Sequence, residues 1–185
     1  MALAASSCGA ATVVGVEPWS AAVAVSEATN EANDDWWANL DFAAVKTRFF
    51  ANAVRYGVMA AIRIMEMDSE TAFGLLQPKG RQFDLVHIDG AHSPERALAD
   101  ARLWSTLVKT GGVVVFDDIG WPSVERARTF LRENFRVLDE VFEEGGSSYG
   151  AYEVVERVRP EGVAKDTPVS RGRRPASRAA RTQPR

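Results

Sequence analysis

The chain has 185 residues, 46% hydrophobic, 25% charged and 9% aromatic, which allows one domain with a substantial core and excludes a low-complexity or collagen-like polymer. The formal net charge of −3 hides an asymmetry: residues 160–185 carry seven basic side chains against two acidic ones, so residues 1–159 hold a net −8. An acidic body argues against nucleic acid as a specific partner, and a single cysteine, Cys8, excludes a disulfide framework or a thiolate metal cluster and fits a reducing, cytoplasmic setting.

The amino end is rich in Ala and Val, but no Lys or Arg precedes that stretch and Glu17-Pro18 interrupts it, so it does not read as a signal peptide. No apolar run approaches the ~20 residues of a membrane helix, so the expectation is a soluble protein with no membrane partner. Thr12 to Val16 is the first β-branched run. Asp41 to Tyr56 repeats Phe42, Val45, Phe49 and Ala53 at helical spacing and stops at Gly57. Ile62 to Met65 is the next strand, running into Glu66, Met67, Asp68 and Ser69, and Phe83 to Ile88 is the third, ending at Asp89-Gly90.

Ser93-Pro94-Glu95 opens a helix with a capping hydroxyl, a preset φ and an acid that complements the dipole. Leu98, Ala101, Trp104 and Val108 form its apolar stripe, and Gly111-Gly112 is expected to end it. Val113 to Phe116 is the most hydrophobic strand and ends at Asp117-Asp118. Ser123 to Asn134 reads as a helix with Val124, Ala127, Phe130 and Leu131 inward. Arg136 to Glu143 and Tyr149 to Arg157 read as a closing antiparallel pair around Gly145-Gly146. The domain is thus expected over residues 1–157, with 158–185 a disordered basic tail whose simplest role is that of a solvated extension.

Strands alternating with helices predict βαβ units and a Rossmann-like parallel sheet with helices on both faces. Glu17, Asp68, Asp89 and Asp117 then end four strands at one carboxyl-terminal edge, where open α/β sheets bind ligands. Polar residues at strand ends are common, and for any one of these acids that plain explanation suffices. Four together, with the Asp117-Asp118 doublet after four apolar residues, point to a ligand or cation that offsets their repulsion. His87 lies within a core strand and reads as structural. Trp36, Trp37 and Trp121 suit an acceptor pocket or, more simply, packing.

The segments Phe83 to Ser93 and Gly111 to Asp118, which contain "IDGAH" and "GGVVVFDD", resemble the heart of a class I S-adenosylmethionine-dependent methyltransferase. They are similar, more narrowly, to the metal-dependent branch with the macrocin-type sugar O-methyltransferases and, more distantly, catechol O-methyltransferase. The resemblance runs from about Thr12 to Arg157. It implies that Glu17 meets the ribose hydroxyls, Asp68 and Ser69 the adenine, and that Asp89 also lies against the cofactor. It further implies that Asp89, Asp117 and Asp118 hold Mg²⁺ or Ca²⁺, hard cations suited to oxygen donors, and that His92 is the general base. The partner implied is a small-molecule hydroxyl acceptor; whether the chain forms a homo-oligomer is left open.

The family begins with a strand and a Gly-rich loop, and this chain shows neither before the run that resembles the second strand. Ala2 to Cys8 resembles the tail of the helix after that loop. The expected fold is therefore N-terminally incomplete, with two strand edges left unpaired, from either a start recorded too late or a truncated copy. Two other functions stand beside methyl transfer: an NAD-dependent oxidoreductase, in which an acid after the second strand also binds ribose, and a non-catalytic methyltransferase-like protein.

Overall fold

The computed structural model describes residues 2–7, 11–25, 31–142 and 151–158. The first half holds α1 (Ala2–Ser7), β1 (Val13–Val16), α2 (Ala21–Ala24), α3 (Glu31–Ala38), α4 (Phe42–Arg55), β2 (Ile62–Met65) and α5 (Ser69–Leu76). The second holds β3 (Phe83–Ile88), α6 (Pro94–Ser105), β4 (Val108–Phe116), α7 (Glu125–Asn134), β5 (Arg136–Val141) and β6 (Tyr152–Glu156). The expected turn at Gly145-Gly146 and the expected tail from Arg159 onward lie outside the described residues.

Helix boundaries follow their caps. Asp41 closes the start of α4 by accepting from Ala44 N at 2.9 Å, and Gly57, at φ 67°, ends it in the left-handed region that a Cβ disfavours. Ser93 caps α6 with Pro94 in the first turn, as the sequence predicts. α5 was not expected; Asp68 caps it by accepting from Thr71 N at 2.9 Å and Thr71 Oγ1 at 2.7 Å.

One boundary is corrected. Val108 does not close α6, and Gly111-Gly112 do not end it; α6 stops at Ser105 and Val108 opens β4, fully buried and paired with Phe83. The ladder slips between Phe83 and Leu85, so that Lys109 to Gly112 stand opposite a single residue of β3. Gly111, at φ 79°, takes the bend, and at Gly112 a Cβ would meet Asp84 O at 2.9 Å.

Among the described residues the strands form two sheets, parallel β1-β2 and a four-stranded sheet in the order β3-β4-β6-β5. β3 and β4 are parallel, while β6 runs antiparallel to both β4 and β5. The βαβ units and the antiparallel closing pair are thus as predicted. α6 and α7 cover one face of the larger sheet, where Val86, Ile88, Val114, Phe116, Val124 and Leu131 are buried. On the other face of β3, Leu85 and His87 are exposed. The smaller sheet joins the same core through Val16, Met65 and Met67. Glu153 on β6 is fully buried and is held from α7 by Arg132, with Nε at 2.6 Å and Nη2 at 2.5 Å. No helix among the described residues is long and apolar enough to cross a membrane.

Candidate functional site: a carboxylate and imidazole rim

The site is assembled by the β3–β4 register. Ile88 pairs with Phe116, and Asp117 N donates to Ile88 O at 3.0 Å, so the residues after the two strands, Asp89 and Asp117, stand side by side at the carboxyl edge. Period-two alternation along β3 puts His87 on the same face as Asp89. His87 Nε2 lies 3.1 Å from Asp117 Oδ2.

Asp118 turns away from a simple continuation. Its φ of 54° lies in the left-handed region, which Asp tolerates better than most residues, and its N–H donates to Asp117 Oδ1 at 2.9 Å. From there Asp118 Oδ2 faces His92 Nε2 at 2.8 Å. The His92 ring also stacks on Trp121, with centroids 5.3 Å apart and planes within 18°. His92 and Asp118 are about five-sixths buried, with side-chain exposures of 16% and 17%.

The donor atoms therefore fall into two sets that share Asp89: His87, Asp89 and Asp117, and Asp89, His92 and Asp118. Within each set one donor atom per residue lies within 4.8 Å of the others. The residue Asp89 is partly open to solvent, yet burial of its carboxyl, then the charge of Asp117, hold its proton affinity above the ordinary range. Asp118 adds to the effect, and His87 and His92 oppose it. Carboxylate oxygens and imidazole nitrogens gathered this closely are a donor set that fits a divalent ion.

A small recess lies beside the rim, lined by Gly90, Ala91, His92, Asp100 and Asp117 among others. A Cβ on Gly90 would meet Asp100 Oδ2 at 2.8 Å, so any other residue there would require the Asp100 carboxyl to shift. Burial raises the Asp100 carboxyl above its ordinary proton affinity, while a bond from Ser69 Oγ at 2.5 Å opposes it. Ser69 in turn receives Trp104 Nε1 at 2.7 Å.

The other site residues expected from the sequence have local work. Glu17 follows β1 and accepts from Trp19 N at 2.9 Å, steadying a turn in which Trp19 has a φ of 43°. Asp68 caps α5, and Ser69 links α5 to α6. Glu17 and Asp68 follow β1 and β2, Ser69 reaches Asp100 in the recess, and Asp89, Asp117, Asp118 and His92 follow β3 and β4. Trp36 and Trp37 pack edge to face at 4.7 Å, and Trp37 stacks on Phe42 at 6.1 Å.

Two side chains at the rim and its recess were not singled out from the sequence as site residues. His87 was expected to be structural, but it stands on the open face of β3 beside Asp117. The signal was its spacing of two from Asp89. Asp100 sits seven residues after the Ser93 cap, and nothing local marks it as lying under Gly90.

Comparison with known proteins gives a family and a fold. No curated protein matches the chain. The O-methyltransferase TomG from Streptomyces achromogenes, involved in tomaymycin synthesis and solved with SAM, superposes with a TM-score of 0.54 at 16% identity, covering 85% of this chain and 78% of that one. An O-methyltransferase from Bacillus cereus, solved with SAH, gives 0.52 at 16% identity, covering 84% of this chain and 78% of that one. A putative SAM-dependent methyltransferase from Streptococcus mutans gives 0.53 at 13% identity over 83% of this chain, which spans 40% of its length. At these identities the likeness establishes the fold, a mixed α/β architecture with parallel strands. The family model described as a methyltransferase domain matches residues 1–119, well over half of the chain. By that match, and with the strand–helix order to support it, the chain belongs to the methyltransferase-domain family.

Proposed function

We propose that this protein transfers a methyl group from S-adenosylmethionine to a hydroxyl of a small molecule, with a divalent cation at the rim. The observation that carries the reading is the gathering of Asp89, His92 and Asp118 at the carboxyl edge of two adjacent parallel strands, with Asp117 beside Asp89. When bound, the cofactor supplies an electrophilic methyl, and a cation such as Mg²⁺ or Ca²⁺ lowers the pKa of a hydroxyl beside it. Asp89, Asp117 and Asp118 would hold the cation; each carboxylate has two oxygens, so Asp118 has one to spare beside His92. Glu17, Asp68, Ser69 and Asp89 would hold the nucleoside.

His92 would take the acceptor's proton. With Nε2–H directed at Asp118, the basic ring nitrogen is Nδ1. Asp118 and the Trp121 ring fix the imidazole plane, so no reorientation is needed as charge develops. Methyl transfer to the acceptor oxygen would leave the carbon–sulfur bonding pair on the cofactor's sulfur, and His92 would be the residue that receives the hydroxyl proton.

Methyl transfer from labelled S-adenosylmethionine to a panel of sugars, catechols and other polyols, with Mg²⁺, tests the proposal. His92→Ala should lower kcat by about 10²–10⁴-fold, and Asp117→Asn or added EDTA should abolish turnover. Full turnover in EDTA would overturn the cation, and NAD(H) binding tighter than S-adenosylmethionine would overturn the reaction class.

A further inference from the structure

We propose that His87, Asp89 and Asp117 form a mixed imidazole–carboxylate site for a borderline transition-metal dication such as Zn²⁺, Co²⁺ or Ni²⁺. The inference rests on the cation rim of the proposed function and revises it: Asp89 and Asp117 are kept as ligands, His87 takes the place of Asp118, and the ion selected changes accordingly.

Geometry places the three side chains together for a reason independent of the acids' repulsion. His87 and Asp89 are two apart on β3 and share a face, while Val86 and Ile88 fill the core from the other. The register that pairs Ile88 with Phe116 brings Asp117 beside Asp89, and His87 Nε2 is 3.1 Å from Asp117 Oδ2. Side-chain exposures of 30% and 23% leave His87 and Asp117 open to an incoming ion, unlike the more enclosed His92 and Asp118.

The distances suit an ion. Bonds of about 2.1 Å hold ligand atoms roughly 3 to 4.2 Å apart; His87 Nε2 and Asp117 Oδ2 are at 3.1 Å, and all three donors lie within 4.8 Å, so a small side-chain movement brings Asp89 into the set. Three protein ligands on one side leave further coordination positions for water or an acceptor oxygen. A neutral imidazole nitrogen favours zinc, cobalt or nickel, whereas magnesium and calcium take oxygen donors. His87 is therefore the residue that decides selectivity. A three-carboxylate set lacks that discrimination.

Selectivity also follows from Asp89 belonging to both sets. An ion held with His87 draws Asp89 toward Asp117 and leaves His92 paired with Asp118. The His92 imidazole then stays available as a base, because it is not a ligand.

The chain's two histidines are both in the rim, so labelled-histidine NMR of the unaltered protein reads the site directly. The protein carries ¹⁵N-histidine, His87→Gln assigns the two rings, and Zn²⁺ is added stepwise to one equivalent. The expected result is a large shift of His87 Nε2 with little change at His92. In parallel, calorimetry should show that His87→Gln weakens Zn²⁺ binding about tenfold or more and leaves Mg²⁺ binding within about twofold. Far-UV circular dichroism checks that the variant is folded, and the wild-type spectra need no variant to fold. The proposal is overturned by a Zn²⁺-induced shift confined to His92, by no shift at either ring, or by Mg²⁺ competing with Zn²⁺ at equal concentration. Loss of methyl transfer alone, with the His87 shift intact, would count against the proposed function and not against this site.

Discussion

Replacing Asp89 by alanine should abolish cation binding and yet stabilise the cation-free fold. Asp89 belongs to both donor sets, so its carboxylate lies within 4.8 Å of a donor on Asp117 and of one on Asp118. Two unit charges at that separation repel by about 3.5 kcal/mol at an effective dielectric of 20 and by about 0.9 kcal/mol in bulk water. Asp89 is solvent-exposed, so the lower figure applies to each neighbour, and salt screening reduces their sum further. About 1 kcal/mol remains. The sign with pH follows from the raised proton affinity: a folded-state value above the ordinary 3.8 gives stability that is complete below 3.8 and is lost as pH rises through the folded value. Urea denaturation in EDTA at about pH 7.5 should therefore find Asp89→Ala more stable than wild type by about 1 kcal/mol, with the gap closing toward about pH 4. Adding cation at about a hundred times its dissociation constant should stabilise wild type by about 2.7 kcal/mol and leave the variant unmoved. A variant less stable than wild type in EDTA at the higher pH, or a gap independent of pH, would refute the reasoning.

Three further outcomes follow from the fold. Arg132→Ala strips the main partner from the fully buried Glu153; with Arg128 Nε still 3.6 Å from the same carboxylate oxygen, the loss should sit at the low end of a broken buried pair, about 3 kcal/mol by urea titration. Asp68→Ala removes the α5 cap and should cost about 1 kcal/mol at neutral pH. Bonds from the Thr71 backbone and hydroxyl lower the Asp68 carboxyl's proton affinity, so its contribution is present above pH 3.8 and is lost as pH falls; the variant's deficit should shrink in acid, read by thermal melts across pH. Gly112→Ala drives a Cβ to 2.9 Å from Asp84 O and 3.0 Å from Lys109 O, both backbone atoms, and should cost about 1–3 kcal/mol as a fall in urea midpoint.

What could be read from sequence was what local pattern controls. Thr12 to Val16, Ile62 to Met65 and Phe83 to Ile88 were legible as strands because β-branched runs stop at Glu17-Pro18, at Glu66 and at Asp89-Gly90, and each run is a strand in the structure. α6 began where Ser93-Pro94 placed it, but its end was misjudged: Val108 continues the helical spacing, and only pairing with Phe83, a partner 25 residues away, makes it the first residue of β4. α5 escaped notice because eight residues, Ser69 to Leu76, are too few for a clear apolar stripe, so its signal was the Asp68 cap alone. Division of the strands into two sheets is likewise a matter of long-range pairing, which no window along the chain contains.

The candidate site divides along the same line. Asp89, Asp117 and Asp118 were legible as neighbours because their strands must be parallel and must end at one edge. Their grouping was not legible, because it depends on one backbone angle: at φ 54°, Asp118 directs its carboxylate to His92 and leaves Asp117 to His87. A run of three acids thus becomes two imidazole-bearing sets joined through Asp89. That grouping puts an imidazole nitrogen within reach of each carboxylate pair, where the sequence alone offered only a run of oxygens. With nitrogen in each set, the proposed cation selection and the proposed proton transfer can be tested separately at one strand edge, through His87 for the first and His92 for the second.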